Sequence, residues 1–61
     1  MKPKKLIKML ETKGWYIKRT HGSHYIMENK KTKQREVIPL HNKDLKPGLL
    51  NKILKRTGLK E

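Results

Sequence analysis

The residues best suited to chemistry in this 61-residue chain lie between positions 20 and 27. There, Gly22 and Ser23 directly precede His24, and an apolar or aromatic run follows at once. Glycine reaches backbone angles closed to other residues and serine can bond its own backbone neighbours, so the segment is typical of a tight turn that holds an imidazole at the start of a strand. Because histidine titrates near physiological pH, His24 is a candidate general base or acid.

A lone histidine is more often structural than catalytic, since a catalytic group also needs a partner group and a substrate. On the turn segment alone, the simpler interpretation is therefore that His24 satisfies a local hydrogen bond. Only features elsewhere in the chain can favour catalysis over that interpretation.

Length and composition limit what the chain can do. Sixty-one residues suffice for one domain, predicted here over 1–61, but leave no room for a deep substrate cavity. Any chemistry is then expected on a surface or in a shallow groove, which suits a long polymer better than an enclosed small molecule. Cysteine is absent from the sequence, so a disulfide framework and a thiolate zinc site are both excluded.

The charge of the chain is strongly unbalanced. Seventeen Lys and Arg oppose five Asp and Glu, which gives a net charge of +12. Such self-repulsion costs stability in a small chain, and a polyanionic partner relieves it, so nucleic acid is the expected partner. The apolar residues are too dispersed for a bilayer span and Lys8 interrupts the apolar run that a signal peptide needs. We therefore expect a cytoplasmic protein with no membrane partner.

Hydrophobic spacing predicts two helices around three strands. The helices are predicted over 3–13 and 47–57, each opened by a proline, striped with apolar residues and followed by a glycine. The strands are predicted over 15–20, 24–29 and 35–40. The expected fold is therefore α+β, with the order α-β-β-β-α, a three-stranded antiparallel sheet and both helices on one sheet face. The other face and the loop ends are left for a ligand.

The alternation of side chains along the strands predicts which residues share a face. In the first strand it separates Trp15, Ile17 and Arg19 from Tyr16, Lys18 and Thr20. Trp15 is predicted to be core, whereas Tyr16 and Tyr25 are predicted to keep their hydroxyls in water and to offer ring faces to unpaired bases. Alternation in the second strand groups His24 with Ile26, but a bulge near the glycine would reverse this, so the face of His24 is left open.

Four segments, in order and together spanning nearly the whole chain, carry a family resemblance. They are the helix end at 13–15 (Lys-Gly-Trp), the turn at 22–24 (Gly-Ser-His), the strand end at 38–41 (Ile-Pro-Leu-His) and the run over 45–59 that begins Leu-Lys-Pro-Gly-Leu-Leu. At this spacing the chain resembles the HicA toxin family of type II toxin-antitoxin systems. That resemblance implies a fold like that of double-stranded-RNA-binding domains.

The same resemblance implies an activity, an endoribonuclease that cleaves messenger RNA as an mRNA interferase. In the family the histidine of the Gly-Ser-His turn is catalytic, and His24 is the matching position. The resemblance also implies a cognate HicB-type antitoxin that binds the toxin and blocks cleavage. With these implications, catalysis becomes the favoured interpretation of His24.

A metal-free mechanism is expected, because RNA carries its own nucleophile in the ribose 2′-hydroxyl. His24 is predicted to act as the general base, a role typically worth on the order of a hundred- to ten-thousandfold. The backbone amides of Gly22 and Ser23, with Lys18 or Arg19, are predicted to stabilise the charge that develops on phosphate. No cofactor is predicted. The expected contacts to single-stranded RNA are Lys18, Arg19, Gly22, Ser23 and Tyr25.

The acid that protonates the leaving oxygen is left open between His21, His41 and a water molecule. We favour a structural role for His41 and assign none to His21; protonation by water predicts a slow enzyme. The three histidines do not predict a metal site, since no cysteine and no well-placed carboxylate accompany them.

Two other functions are compatible with the sequence. The first is a non-catalytic RNA- or DNA-binding module, for which the positive charge and a small mixed fold suffice. The second is an interaction protein whose basic surface docks an acidic partner.

Overall fold

The computed structural model describes residues 1–40 and 43–59 of the chain. Its elements are α1 (Pro3–Glu11), β1 (Trp15–His21), β2 (His24–Asn29), β3 (Arg35–Pro39) and α2 (Pro47–Thr57). The predicted α+β fold and the order α-β-β-β-α are confirmed. No helix within the described residues is both long enough and apolar enough to cross a bilayer.

Both helices begin at a proline, whose missing amide hydrogen is not needed in the first helical turn. Helix α2 ends where predicted, because Gly58 adopts the left-handed conformation at φ 73°. Helix α1 ends two residues earlier than the predicted 3–13. There the amide of Lys13 bonds the carbonyl of Leu10, three residues back, which tightens the chain into a turn.

The sheet is antiparallel with the order β1-β2-β3, so β2 is the central strand. A two-residue link, Gly22 and Ser23, joins β1 to β2 and leaves His21 opposite His24. Gly22 has φ +60° while Ser23 keeps a negative φ, which is the φ pattern of a type II′ hairpin turn. The turn is also held from the other side, because the Leu40 amide donates to the Ser23 carbonyl at 2.7 Å.

Strand β1 contains one residue more than the segment of β2 with which it pairs. Ile17 pairs with Met27, but the next pair is Arg19 with Ile26, so Lys18 is the extra residue of a β-bulge. The strict alternation predicted for β1 is therefore wrong beyond Ile17. Arg19 lies on the face of Tyr16 rather than with Trp15 and Ile17.

One hydrophobic cluster joins both helices to the same face of the sheet, as predicted. Its fully buried side chains are Leu6 and Leu10 from α1, Met27 and Ile38 from the sheet, and Ile53 from α2. Trp15 is 4% exposed and belongs to this core, as predicted. Burial of each fully buried aliphatic side chain in this cluster contributes about 1.5–3 kcal/mol to the stability of the fold. The opposite face of the sheet carries no helix among the described residues, and we call it the open face.

Candidate functional site

The open face carries nine side chains in three cross-strand rows. The rows are His21, His24 and Pro39; Arg19, Ile26 and Val37; and Tyr16, Glu28 and Arg35. In each row the middle residue belongs to the central strand β2. The register therefore settles the open question of His24, which lies with Ile26 on the face away from the helices.

His24 is the first residue of β2 and its side chain is exposed. Its backbone is fixed on both sides, because β2 pairs with β1 through His21 and with β3 through Pro39. The type II′ turn and the Leu40 to Ser23 hydrogen bond hold the residues just before it. The imidazole is thus presented to solvent from a strand end that is paired on both sides.

Arg19 is the cation in the row next to His24. It is exposed, and no described residue pairs with its guanidinium. The backbone amides of Gly22 and Ser23 likewise donate to no described residue. Within the described part of the chain, the Arg19 guanidinium and the two turn amides are therefore donors that an anion beside His24 could use.

Lys18 differs from Arg19, because its ammonium forms an ion pair with Glu28. The Lys18 Nζ lies 3.2 Å from Glu28 Oε1, and Arg35 Nε donates to the same oxygen at 2.9 Å. The Tyr16 hydroxyl donates to Glu28 Oε2 at 2.7 Å. These donors cover the carboxylate, so the Glu28 side chain is only 7% exposed although it lies on the open face.

The hydrogen-bond network changes how two of its members titrate. The hydrogen bond from Arg35, followed by those from Tyr16 and Lys18, lowers the pKa of Glu28 to about 2. The hydrogen bond to the Glu28 carboxylate raises the pKa of the Tyr16 hydroxyl. Glu28 therefore stays ionised at neutral pH and holds Tyr16 and Arg35 in one row.

The structure brings most of the predicted site residues together. Lys18 and Arg19 lie on the open face, and Gly22 and Ser23 form the turn before His24. Tyr25 does not join them. It pairs with Ile38, on the helix-covered face, and is half-buried against the core.

Tyr16 lies on the open face, but its hydroxyl bonds Glu28 instead of remaining in water as predicted. His41, the other candidate acid, lies outside the described residues.

Sequence reasoning missed Glu28 and Arg35. Alternation along β2 was the available signal for Glu28, because it places this lone acidic residue two positions beyond Ile26 on the face of His24. Arg35 is recognisable only through its pairing with Glu28. As for metal ligands, the described residues include no cluster of three or more His, Asp or Glu side chains that could hold an ion.

Comparison with known proteins identifies a family. The sequence model of the family described as HicA toxin of bacterial toxin-antitoxin matches residues 3–59, which include all five helices and strands. No curated protein and no solved structure gives a significant match. Because the matched region covers nearly the whole chain, the protein belongs to the HicA toxin family of bacterial toxin-antitoxin systems.

Proposed function

We propose that this toxin is a metal-independent endoribonuclease, an mRNA interferase in which His24 is the general base. The observation that carries the proposal is the exposed imidazole at the start of β2, beside an arginine side chain and two turn amides that no other described residue engages. An open surface of this kind admits a polymer, and the net charge of +12 favours a polyanion. Membership of a toxin family supports a damaging activity.

In the proposed reaction His24 accepts the proton of a ribose 2′-hydroxyl. The 2′ oxygen then attacks the adjacent phosphorus, the bond to the 5′ oxygen of the next nucleotide breaks, and a 2′,3′-cyclic phosphate remains. A positioned base contributes on the order of a hundred- to ten-thousandfold to such a step. The reaction needs no nucleophile from the protein.

Donors beside His24 stabilise the negative charge that develops on the phosphate. Arg19 is the side chain best placed for this role, because it occupies the neighbouring row and no described residue neutralises it. The amides of Gly22 and Ser23 supply further donors whose orientation the turn has already fixed. Lys18 assists the binding of RNA while it also neutralises Glu28.

The row of Tyr16, Glu28 and Arg35 is proposed as the binding platform for the flanking nucleotides. A tyrosine ring and a planar guanidinium are the groups on which unpaired bases stack, and Glu28 holds both in place. This function favours single-stranded RNA, whose bases are free to leave their own stack. Of the two tyrosines predicted to stack on bases, we keep this role for Tyr16 alone, since Tyr25 lies on the helix-covered face.

Membership of a toxin-antitoxin family implies an antitoxin partner. We propose that a HicB-type antitoxin binds this toxin and blocks its cleavage of RNA. Both the messenger RNA and the antitoxin would be met in the cytoplasm, where we place the protein.

The proposal is tested by comparing wild type with His24→Ala, matched for folding by circular dichroism, on single-stranded RNA in excess chelator. We expect wild type to leave cyclic-phosphate or 3′-phosphate ends, and His24→Ala to bind the RNA without cutting it. Equal cleavage by both proteins would end the catalytic role of His24. Binding without cleavage by wild type would instead support the non-catalytic module, and cleavage that needs metal and leaves 3′-hydroxyls would refute the mechanism.

A further inference from the structure

A second histidine faces His24 directly across the hairpin. His21 and His24 form the closing pair of β1 and β2, both side chains are exposed, and both lie on the open face. The Cβ atoms of directly opposed residues in an antiparallel sheet are about 4.5–5.5 Å apart. Two imidazoles at this spacing can approach a single phosphate from two sides.

The bulge at Lys18 accommodates the extra residue of β1 and so allows this pair to form. A regular ladder continuing from Ile17 and Met27 would set Arg19 against Tyr25 and Thr20 against His24. The extra residue shifts the pairing, so that His21 reaches His24 while Trp15 and Ile17 stay on the core side. The two-residue turn then fixes the pair.

From this juxtaposition we infer that His21 is a catalytic residue, the general acid that protonates the leaving 5′ oxygen. The inference rests on the proposed nuclease function and adds to it the group left open by the sequence. His24 takes the proton from the 2′-hydroxyl as the oxygen attacks phosphorus. On the other side of the phosphorus, the bond to the 5′ oxygen breaks and the His21 imidazolium delivers its proton to that oxygen. Attacking and leaving oxygens lie roughly in line in phosphoryl transfer, so the two proton transfers need separate groups on opposite sides.

The other open-face donors fit this acid role less well. Arginine does not give up its proton, which excludes Arg19 and Arg35. The Tyr16 hydroxyl and the Lys18 ammonium are engaged by Glu28, beyond the row that contains Ile26. Histidine is the side-chain type that exchanges protons near neutral pH, and in the three rows only His21 and His24 are of this type.

A substrate with a better leaving group separates an acid from a merely structural residue. The experiment compares a single-stranded RNA with an otherwise identical RNA whose scissile 5′ bridging oxygen is replaced by sulfur. A thiolate departs without protonation, because a thiol is a much stronger acid than an alcohol. Wild type, His21→Ala and His24→Ala are assayed on both substrates in excess chelator, and each is checked by circular dichroism. Affinity is measured on a 2′-deoxy analogue that cannot be cut.

We expect His21→Ala to slow cleavage of the oxygen substrate about a hundredfold or more and cleavage of the sulfur substrate less than about tenfold. His24→Ala should lose cleavage of both substrates, since the 2′-hydroxyl needs a base in either case. Equal losses on the two substrates by His21→Ala, or no loss on either, would overturn the acid role while leaving the nuclease intact. A wild type that cuts neither substrate would overturn the nuclease itself and this role with it. His21→Gln, which keeps a polar side chain, serves as a second variant and should behave as His21→Ala does.

Discussion

Arg35 Nε donates to Glu28 Oε1 at 2.9 Å, across the pair that joins the central strand to β3. Because Tyr16 and Lys18 donate to the same carboxylate, a single acidic side chain organises one end of the open face. The arrangement makes the stability of the fold depend on the ionisation of Glu28.

We predict that Glu28→Gln lowers the thermal midpoint at neutral pH and that the difference from wild type shrinks in acid. The pKa of Glu28 is lowered from 4.5 to about 2 by its hydrogen bonds, chiefly the one from Arg35. A depressed pKa adds stability above the unfolded-state value, and that stability is lost as the pH falls through the folded-state value. Denaturation curves of both proteins between pH 7 and about pH 2 measure the effect. A constant difference over this range would contradict it.

Arg19→Ala should slow RNA cleavage on the order of a hundredfold, the typical cost of removing one donor to a developing oxyanion. Stability should change by less than about 0.5 kcal/mol, since Arg19 is exposed and has no partner among the described residues. The matched control is Lys52→Ala on α2, which also removes one exposed positive charge. Single-turnover cleavage rates decide the matter, and equal losses from both variants would show that only overall charge counts.

Gly22→Ala should destabilise the protein by about 1–2 kcal/mol through backbone strain alone. Gly22 has φ +60°, yet a Cβ there would meet no atom within 4 Å, so no steric clash adds to the cost. Gly48 is the control, because it lies in α2, lacks the positive φ and also has open space around it. Gly48→Ala should therefore stabilise by about 0.4–1 kcal/mol. Urea denaturation gives both values, and a neutral Gly22→Ala would remove the case for a strained turn.

Ile53→Ala should cost about 2–5 kcal/mol, because it empties space in the core between α2 and the sheet. Val37 is a contrasting aliphatic residue on the open face, 49% exposed. Val37→Ala should cost less than about 1 kcal/mol. The two variants are compared by urea denaturation at one temperature. Similar losses would mean that the open face is covered in solution.

The helices were predictable from local sequence because their signals act locally. Proline at Pro3 and Pro47 marks where each helix begins, and Gly58 can adopt the left-handed conformation that ends α2. Strand β2 was predicted with its observed bounds for a similar reason, since Gly22 and Asn29 mark its two ends. The first helix was predicted too long because its last turn tightens before the glycine.

The candidate site was only partly predictable because it depends on pairing between strands. His24 and its turn were recognisable from residue types alone. The positions of Arg19 and His21 were not, since the bulge at Lys18 is a property of the fit of β1 against β2. Glu28 was missed for the same reason, because its partners come from both neighbouring strands.

The surplus residue of β1 also bears on how the chain can change over generations. Loss of Lys18 alone would leave Ile17 and Arg19 as neighbours in a regular ladder, with every later side chain still pointing where it does now. A deletion of this one residue is therefore expected to leave His21 and His24 paired on the open face. An inserted residue would instead require a second bulge to keep both side chains there.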